Sequence, residues 1–407
     1  MTRLFFFFTL ILLLFFRPFF GHSLFSRADI YLSWIITLNC LVLTVFNKKT
    51  AKKDAPPSLL TGAVCVFFGL ILARFVFPFG GFFRPQALAD YVCFASLFLA
   101  ARTLPRNLQP GLIFASGITA AAVSSNALLW LGYGSSCLLA FMHEHHIVYD
   151  FASEYISRGR AFMPFNLPSL LGGYLMLGIP LCFVSISVYY KEADVLLTKR
   201  PLRNSLLIVP FLLALAGLLA TQAVGAFISF AAALLLYFSL TRSGKTRFFS
   251  VLAGTLLLLL SGMLFLRSYH AGYWQNPIFS LGQRMLYWQN TLNVIKENII
   301  WGTGLGDLPF VGARYSHNSF LQLWAEGGIA VFFAFLAVVL FSLKDFASFL
   351  KKAPGDKLFP GLFIAYSAFI FHNLVDFSFF VAQGAFLWWI ILGLADNMAS
   401  TRRGENS

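Results

Sequence analysis

Residues 281–307 read LGQRMLYWQNTLNVIKENIIWGTGLGD, and residues 314–328 read RYSHNSFLQLWAEGG. They belong to a polar interval, from about Tyr269 to Asn318, set between two long apolar segments. Almost everything around that interval is hydrocarbon-like. Arg284, Arg314 and His317 therefore stand at the edge of a domain that otherwise avoids charge.

Composition explains why the edge matters. The chain has 407 residues, of which 58% are hydrophobic and 11% charged. A soluble domain carries about 25% charged residues. With 49 phenylalanines, no water-facing surface can be assembled from this chain, so the class is an all-α polytopic membrane protein. Lipid admits only helices or closed barrels, because every backbone amide must be paired internally. The apolar runs are long and lack period-two alternation, which selects helices.

About twelve spans are expected, near 4–20, 29–46, 59–78, 87–104, 111–133, 167–190, 205–221, 223–240, 249–267, 319–343, 358–376 and 381–398. They form a single membrane domain, 1–407, with two long loops on one side, 134–166 and 268–318. The apolar N-terminal run meets Arg17-Pro18-Phe19-Phe20 rather than a small-residue cleavage site, and is read as a retained first span. The five cysteines show no paired spacing and are read as buried small hydrophobes.

Lysine and arginine set the orientation. Most of them fall in one alternating set of loops, at 48–53, 102–106, 191–203, 242–247 and 344–357, and at both chain ends. Both termini are therefore expected in the cytoplasm. The net charge of +14 is mainly this topology signal, with anionic headgroups as possible membrane-lipid partners. Charge split among short loops argues against nucleic acid.

The outer face is nearly free of lysine, yet it holds Arg158 and Arg160 in the first long loop and Arg284 and Arg314 in the second. Headgroup snorkelling is one reason for such arginines; anion binding is the other. Gly282 to Ile300 reads as an amphipathic surface helix, with Leu286, Trp288, Leu292, Ile295 and Ile299 on a common face. Gly302, Gly304 and Gly306 end it, as either a flexible turn or a ligand cradle. Ser316 or Asn318 caps the next helix. His317 is either a capping-region residue or a proton acceptor, since a nearby cation depresses an imidazole pKa. Glu326 lies inside the following span and is either a site residue or an arginine partner. His372, Asn373 and Asp376 hydrogen-bond one another or line one cavity. His143-Glu144-His145-His146 lacks metal-ligand spacing and reads as a solvated patch, so no metal site is expected.

Several of these segments together resemble the O-antigen ligase and polymerase superfamily of bacterial inner-membrane glycosyltransferases. The matching pieces are RAFMPFNLPS at 160–169, followed by LGGYL, then Arg284 with Trp288, GTGLG at 302–306, HNSFLQLWAEGG at 317–328 and HNLVDF at 372–377. The likeness spans about 160–390. It implies a GT-C-like fold and a metal- and cofactor-independent enzyme with its active site on the periplasmic face. The implied donor is a glycan on undecaprenyl diphosphate, and the implied acceptor a lipid A–core or glycan hydroxyl. By the same resemblance Arg160 and Arg284 bind the diphosphate, and His317 activates the acceptor. Asn318, Glu326, His372 and Asp376 support them. Members often carry Ser-Arg-Gly where this chain has Ala223-Val224-Gly225, so one cation is missing; Arg314 or Arg158 is a candidate substitute.

The residues fit this chemistry on their own terms. A sugar on a lipid diphosphate is already activated, and arginine forks stabilise the departing charge. Attack opposite the leaving group inverts the anomeric centre. Ligase, polymerase and a variant with a protein acceptor share this donor. A transporter of a lipid-linked anion is the competing class, but it calls for internal repeats and charges deep in broken helices. The arginines here cluster at one face.

Overall fold

A computed structural model of the chain describes residues 2–20, 26–50, 58–77, 84–145, 152–196, 200–241, 279–306, 308, 315–353 and 355–405, together with scattered positions between 252 and 263. Among the described residues all regular structure is helical. In chain order the helices are α1 (Thr2–Phe16), α2 (Ser26–Thr50), α3 (Leu59–Val76), α4 (Pro85–Arg102), α5 (Gln109–Gly132), α6 (Gly134–Glu144) and α7 (Ala152–Ser157). They continue with α8 (Pro168–Leu196), α9 (Arg200–Thr221), α10 (Val224–Thr241), α11 (Phe279–Glu297), α12 (Ser319–Lys352), α13 (Phe359–His372) and α14 (Ala382–Glu405).

Local sequence sets where several of these begin. Ser58 caps α3 by accepting the Thr61 amide at 2.9 Å. Proline opens α4, α5 and α13, where the missing N–H has no intrahelical role. Asn318 caps α12 through its side-chain oxygen, 3.0 Å from the Phe320 amide and 3.1 Å from that of Leu321.

Among the described residues, seven helical segments are long and apolar enough to cross a membrane: Thr2–Phe19, Ala28–Lys48, Leu59–Val76, Arg106–Gly132, Pro168–Ile186, Val224–Thr241 and Ser319–Lys352. Ile208–Thr221 and Phe359–His372 are shorter apolar helices. Two further expected spans, 87–104 and 381–398, coincide with α4 and α14, which carry Asp90 and Asp396. Expected span 249–267 lies largely outside the described residues. The chain thus has the architecture of a multi-pass membrane protein, and the count of twelve is not reached among the described residues.

The lipid-facing and buried residues separate as a bilayer solvent requires. Phe8, Leu38, Val66, Phe333 and Leu340 are exposed, whereas Trp388 and Trp389 of α14 are fully buried. Those two indoles anchor an aromatic core: Trp389 stacks on Phe67 with centroids 6.0 Å apart, and Trp388 on Tyr366 at 5.5 Å. Helix α14 packs against α4, α8, α12 and α13. Of the cysteines, Cys40, Cys93 and Cys182 are buried as expected, but Cys65 and Cys137 are exposed. Cys65 lies on the apolar helix α3, where an exposed thiol meets lipid at little cost, and Cys137 lies on α6, outside the membrane-length helices.

Opposite the long loops, α14 is tied to its neighbours by polar contacts. Asp396 is fully buried and accepts from Ser58 Oγ at 2.7 Å, Thr61 Oγ1 at 2.8 Å and Arg102 Nε at 2.8 Å. A carboxylate in this setting is tolerable only because it is paired and hydrogen-bonded. Replacing Asp396 with Ala leaves Arg102 without its counter-ion and is expected to cost on the order of 3–5 kcal/mol. That loss is read as a lowered thermal midpoint of the detergent-solubilised protein; an unchanged midpoint contradicts the assignment.

Candidate functional site

The site is built where α12 begins and α13 ends. Backbone and side chain both fasten the junction. The Ser319 amide donates to the Asn373 carbonyl at 2.9 Å, and Ser319 Oγ donates to Asn373 Oδ1 at 2.6 Å. Asn318, besides capping α12, donates through Nδ2 to the Leu374 carbonyl at 2.9 Å. Of the two capping candidates, Asn318 therefore serves, while Ser316 Oγ donates to the Asn318 carbonyl. The residue lodged in this junction is His317.

His317 adopts φ +52°, a left-handed conformation that is uncommon away from glycine. Its carbonyl accepts from Trp288 Nε1 of α11 at 3.3 Å, and its ring stacks on Tyr287 with centroids 5.5 Å apart. Phe377 meets the same ring edge-on at 4.7 Å. Aromatic packing thus holds the imidazole in place, and its Nδ1 is buried without a hydrogen-bond partner among the described residues. Burial drives the His317 pKa down to about 4; Asp376 pulls it back up, and Arg284 pushes it further down. At neutral pH the ring is a free base.

Asp376 links the charged members. Its Oδ2 lies 3.5 Å from Arg284 Nη2 and 3.9 Å from His372 Nε2, while Oδ1 accepts the Phe377 amide at 2.8 Å. The His372–Asp376 separation is that of charges rather than of a hydrogen bond. His372 is fully buried, between α8 and α10: a Cβ placed on Gly173 would come within 2.9 Å of its ring, and one on Gly225 within 3.7 Å. Arg284, His317, His372 and Asp376 therefore converge, although they come from three separate stretches of chain. Arg284 keeps a side chain 19% exposed, so it remains open to an anion.

Arg160 sits elsewhere in the junction of helices. Its Nε donates to the Thr221 carbonyl at 3.1 Å and Nη2 to Gln222 at 3.5 Å, and its guanidinium lies over the Tyr155 ring at 5.5 Å. It thus caps the C-terminal end of α9, beside the Ala223-Val224-Gly225 segment whose Gly225 faces His372. Arg158 is ion-paired with Glu154 at 2.8 Å. Arg314 lies outside the described residues. His143, Glu144 and His145 are exposed, and no group of metal-ligating side chains is assembled among the described residues.

The glycine-rich segment 302–306 is not a loose turn. It lies backbone-to-backbone against a break in α12 at Gly328, where φ is +80°. Thr303 and Gly304 donate their amides to Ala325 and Glu326 carbonyls at 2.8 and 3.0 Å, and Ile329 donates to Ile299 at 3.0 Å. A Cβ on Gly302 would fall 2.4 Å from the Glu326 carbonyl oxygen, and one on Gly328 2.1 Å from that of Ile300. Glu326, buried, accepts the Gly306 amide at 2.8 Å and Gln322 Nε2 at 2.7 Å. The expected common face on the surface helix also needs correction. Leu286, Leu292 and Ile299 are exposed, whereas Ile295 turns inward against Leu308 and Ala325.

Beside this loop is a cavity of about 390 Å³, bounded by α2, α4, α12 and the start of α14. Tyr315 and Phe377 form the wall on the His317 side, stacked with centroids 4.3 Å apart. Sequence reasoning missed Tyr287, Ser319 and this cavity. Tyr287 and Ser319 lie within motifs already singled out, but nothing in the linear order shows that they touch the imidazole or Asn373.

Substituting Gly328 by Ala combines a disfavoured φ with a backbone clash. Strain alone is expected to cost about 1–3 kcal/mol. The observable is faster proteolysis around residues 299–306 together with a lower melting midpoint. Unaltered digestion shows that the loop does not depend on the break.

Comparison with protein families matches residues 209–336 to the model described as O-antigen ligase. The matched stretch includes Arg284, His317 and Glu326, and leaves Arg160, His372 and Asp376 outside. No curated protein matches the chain. Ligase- or polymerase-type transfer of glycans is the activity that the match supports, and the match places residues 209–336 of this multi-pass chain with the O-antigen ligase superfamily by similarity.

Proposed function

We propose that the chain moves a glycan from undecaprenyl diphosphate to a lipid A–core hydroxyl, at the periplasmic face of the bacterial inner membrane, with both termini cytoplasmic. The single observation that carries this reading is the convergence of His317 with Arg284 and Asp376, in surroundings that hold the imidazole as a free base. The family match supports glycan transfer at the level of ligase or polymerase.

In the proposed step His317 takes the proton of the acceptor hydroxyl. The acceptor oxygen bonds to the anomeric carbon as the carbon–oxygen bond to phosphate breaks, and the electron pair leaves with the lipid diphosphate. The configuration inverts. Arg284 faces the departing charge, and its long contact to Asp376 leaves guanidinium N–H groups for phosphate oxygens. Asp376 stabilises the imidazolium as it forms. Arg160, at the end of α9, marks the second diphosphate contact in this reading, and Arg314 a third. Asn318, Glu326 and His372 hold the surroundings in place. No step calls for a metal.

His317→Ala is expected to lower kcat by about 10²–10⁴ while donor binding persists. Arg284→Ala is expected to weaken donor binding on the order of tenfold, as loss of a charged hydrogen bond does. Transfer at the normal rate by purified His317→Ala protein removes the base assignment. In cells lacking the gene, long lipid-linked chains with a bare core indicate a ligase, cores bearing a single repeat indicate a polymerase, and an unchanged glycan profile removes both.

The acid limb of activity tests the electrostatics. His317 is neutral above its depressed pKa, so kcat/KM is expected to hold as pH falls through 6.5 and to decline only toward about 4. A bound diphosphate favours the imidazolium, so the acid limb of kcat moves upward in pH. A kcat/KM limb at 6.5 contradicts a buried imidazole base.

A further inference from the structure

The cavity beside the site has a lining unsuited to a lipid chain. Its volume of about 390 Å³ falls within the range of about 300–1,000 Å³ found for small-ligand pockets. Arg84, Asp90 and Glu326 face it together, and charged groups against hydrocarbon are costly. Tyr91, which is 4% exposed, lines the cavity, and its buried hydroxyl has no hydrogen-bond partner among the described residues. Gln86 Oε1, from the same helix, is likewise unsatisfied. Buried polar atoms of this kind are rare in folded proteins and call for a partner. Asp90 engages Ser33 and Gln86 at 2.9 Å through Oδ1, which leaves Oδ2 for a ligand.

Aromatic rings complete the lining: Phe94, one turn on from Asp90 along α4, with Phe377 and Phe379. Flat apolar rings set among carboxylate, amide and phenol groups match a pyranose ring, which has C–H faces and a rim of hydroxyl donors. Phe377 completes the placement, because the ring that lines the cavity also meets His317 edge-on at 4.7 Å. A sugar in the cavity is thus one aromatic ring away from the imidazole.

We infer that this cavity, between α2, α4, α12 and the start of α14, is a carbohydrate subsite that binds one hydroxyl-rich sugar residue through Asp90, Tyr91 and Gln86. The placement beside His317 rests on the proposed transfer reaction; the binding itself does not. The sugar belongs either to the acceptor or to the donor glycan, and kinetics separate the two sources.

The direct probe is methyl β-glucoside, titrated against the purified full chain in detergent by saturation-transfer NMR. Wild-type protein is expected to transfer saturation to the sugar. Tyr91→Phe, which retains the ring, is expected to reduce it at least fivefold, and Asp90→Asn to do the same, with melting midpoints close to wild type. His317→Ala is expected to keep the binding signal while losing transfer, which keeps failure of the base assignment apart from failure of the subsite. In transfer assays, Tyr91→Phe raising KM for the acceptor assigns the sugar to the acceptor, and raising KM for the donor assigns it to the donor. Saturation transfer equal to wild type in both folded variants, or none in the wild type, overturns the subsite.

Discussion

The junction between the start of α12 and the end of α13 is the constraint on which the candidate site depends. Asn318 and Ser319 spend their side chains on Leu374 and Asn373, so two helix ends distant in sequence are fixed to each other. His317 precedes that pair and Asp376 follows it, and the imidazole has little freedom to sit anywhere else. Trp288 and Tyr287 then bring α11, and with it Arg284, onto the same ring. Three polar side chains meet because backbone groups at two helix ends found partners in each other.

The same economy of polar groups runs through the rest of the molecule. Asp396 on one side and Glu326 on the other are buried carboxylates whose oxygens are hydrogen-bonded. Arg160 has its guanidinium over carbonyls at the end of α9. The hydroxyl of Tyr91 and Nδ1 of His317 are among the buried polar atoms that have no hydrogen-bond partner among the described residues. Both adjoin the site or its neighbouring cavity.

Burial gives His317 its chemical character more than any single charge does. Removal from water disfavours the imidazolium, and the pull of Asp376 only partly restores it. A base of this kind is weak until an anion arrives. Donor binding thereby raises the basicity of the ring when a proton must be taken, which couples occupancy of the site to its reactivity.

Composition by itself determined the membrane class, because a chain with so little charge has no way to face water. Hydrophobic runs located most spans to within a few residues, since each must cover the bilayer: 59–78 against Leu59–Val76, and 223–240 against Val224–Thr241. The motifs around 284, 317 and 376 were legible as well, as polar residues where polarity is costly. Tertiary structure decided which of them meet. Linear order offered no reason to pair Arg284 with Asp376, to set Arg160 on the end of α9, or to turn Ile295 inward. The GTGLG run looked like a turn or a cradle, and only the opposing break at Gly328 made it a backbone-packed clasp. Pairings of this kind depend on contacts between residues remote in the chain, and a periodic pattern records which face is apolar, not what that face will touch.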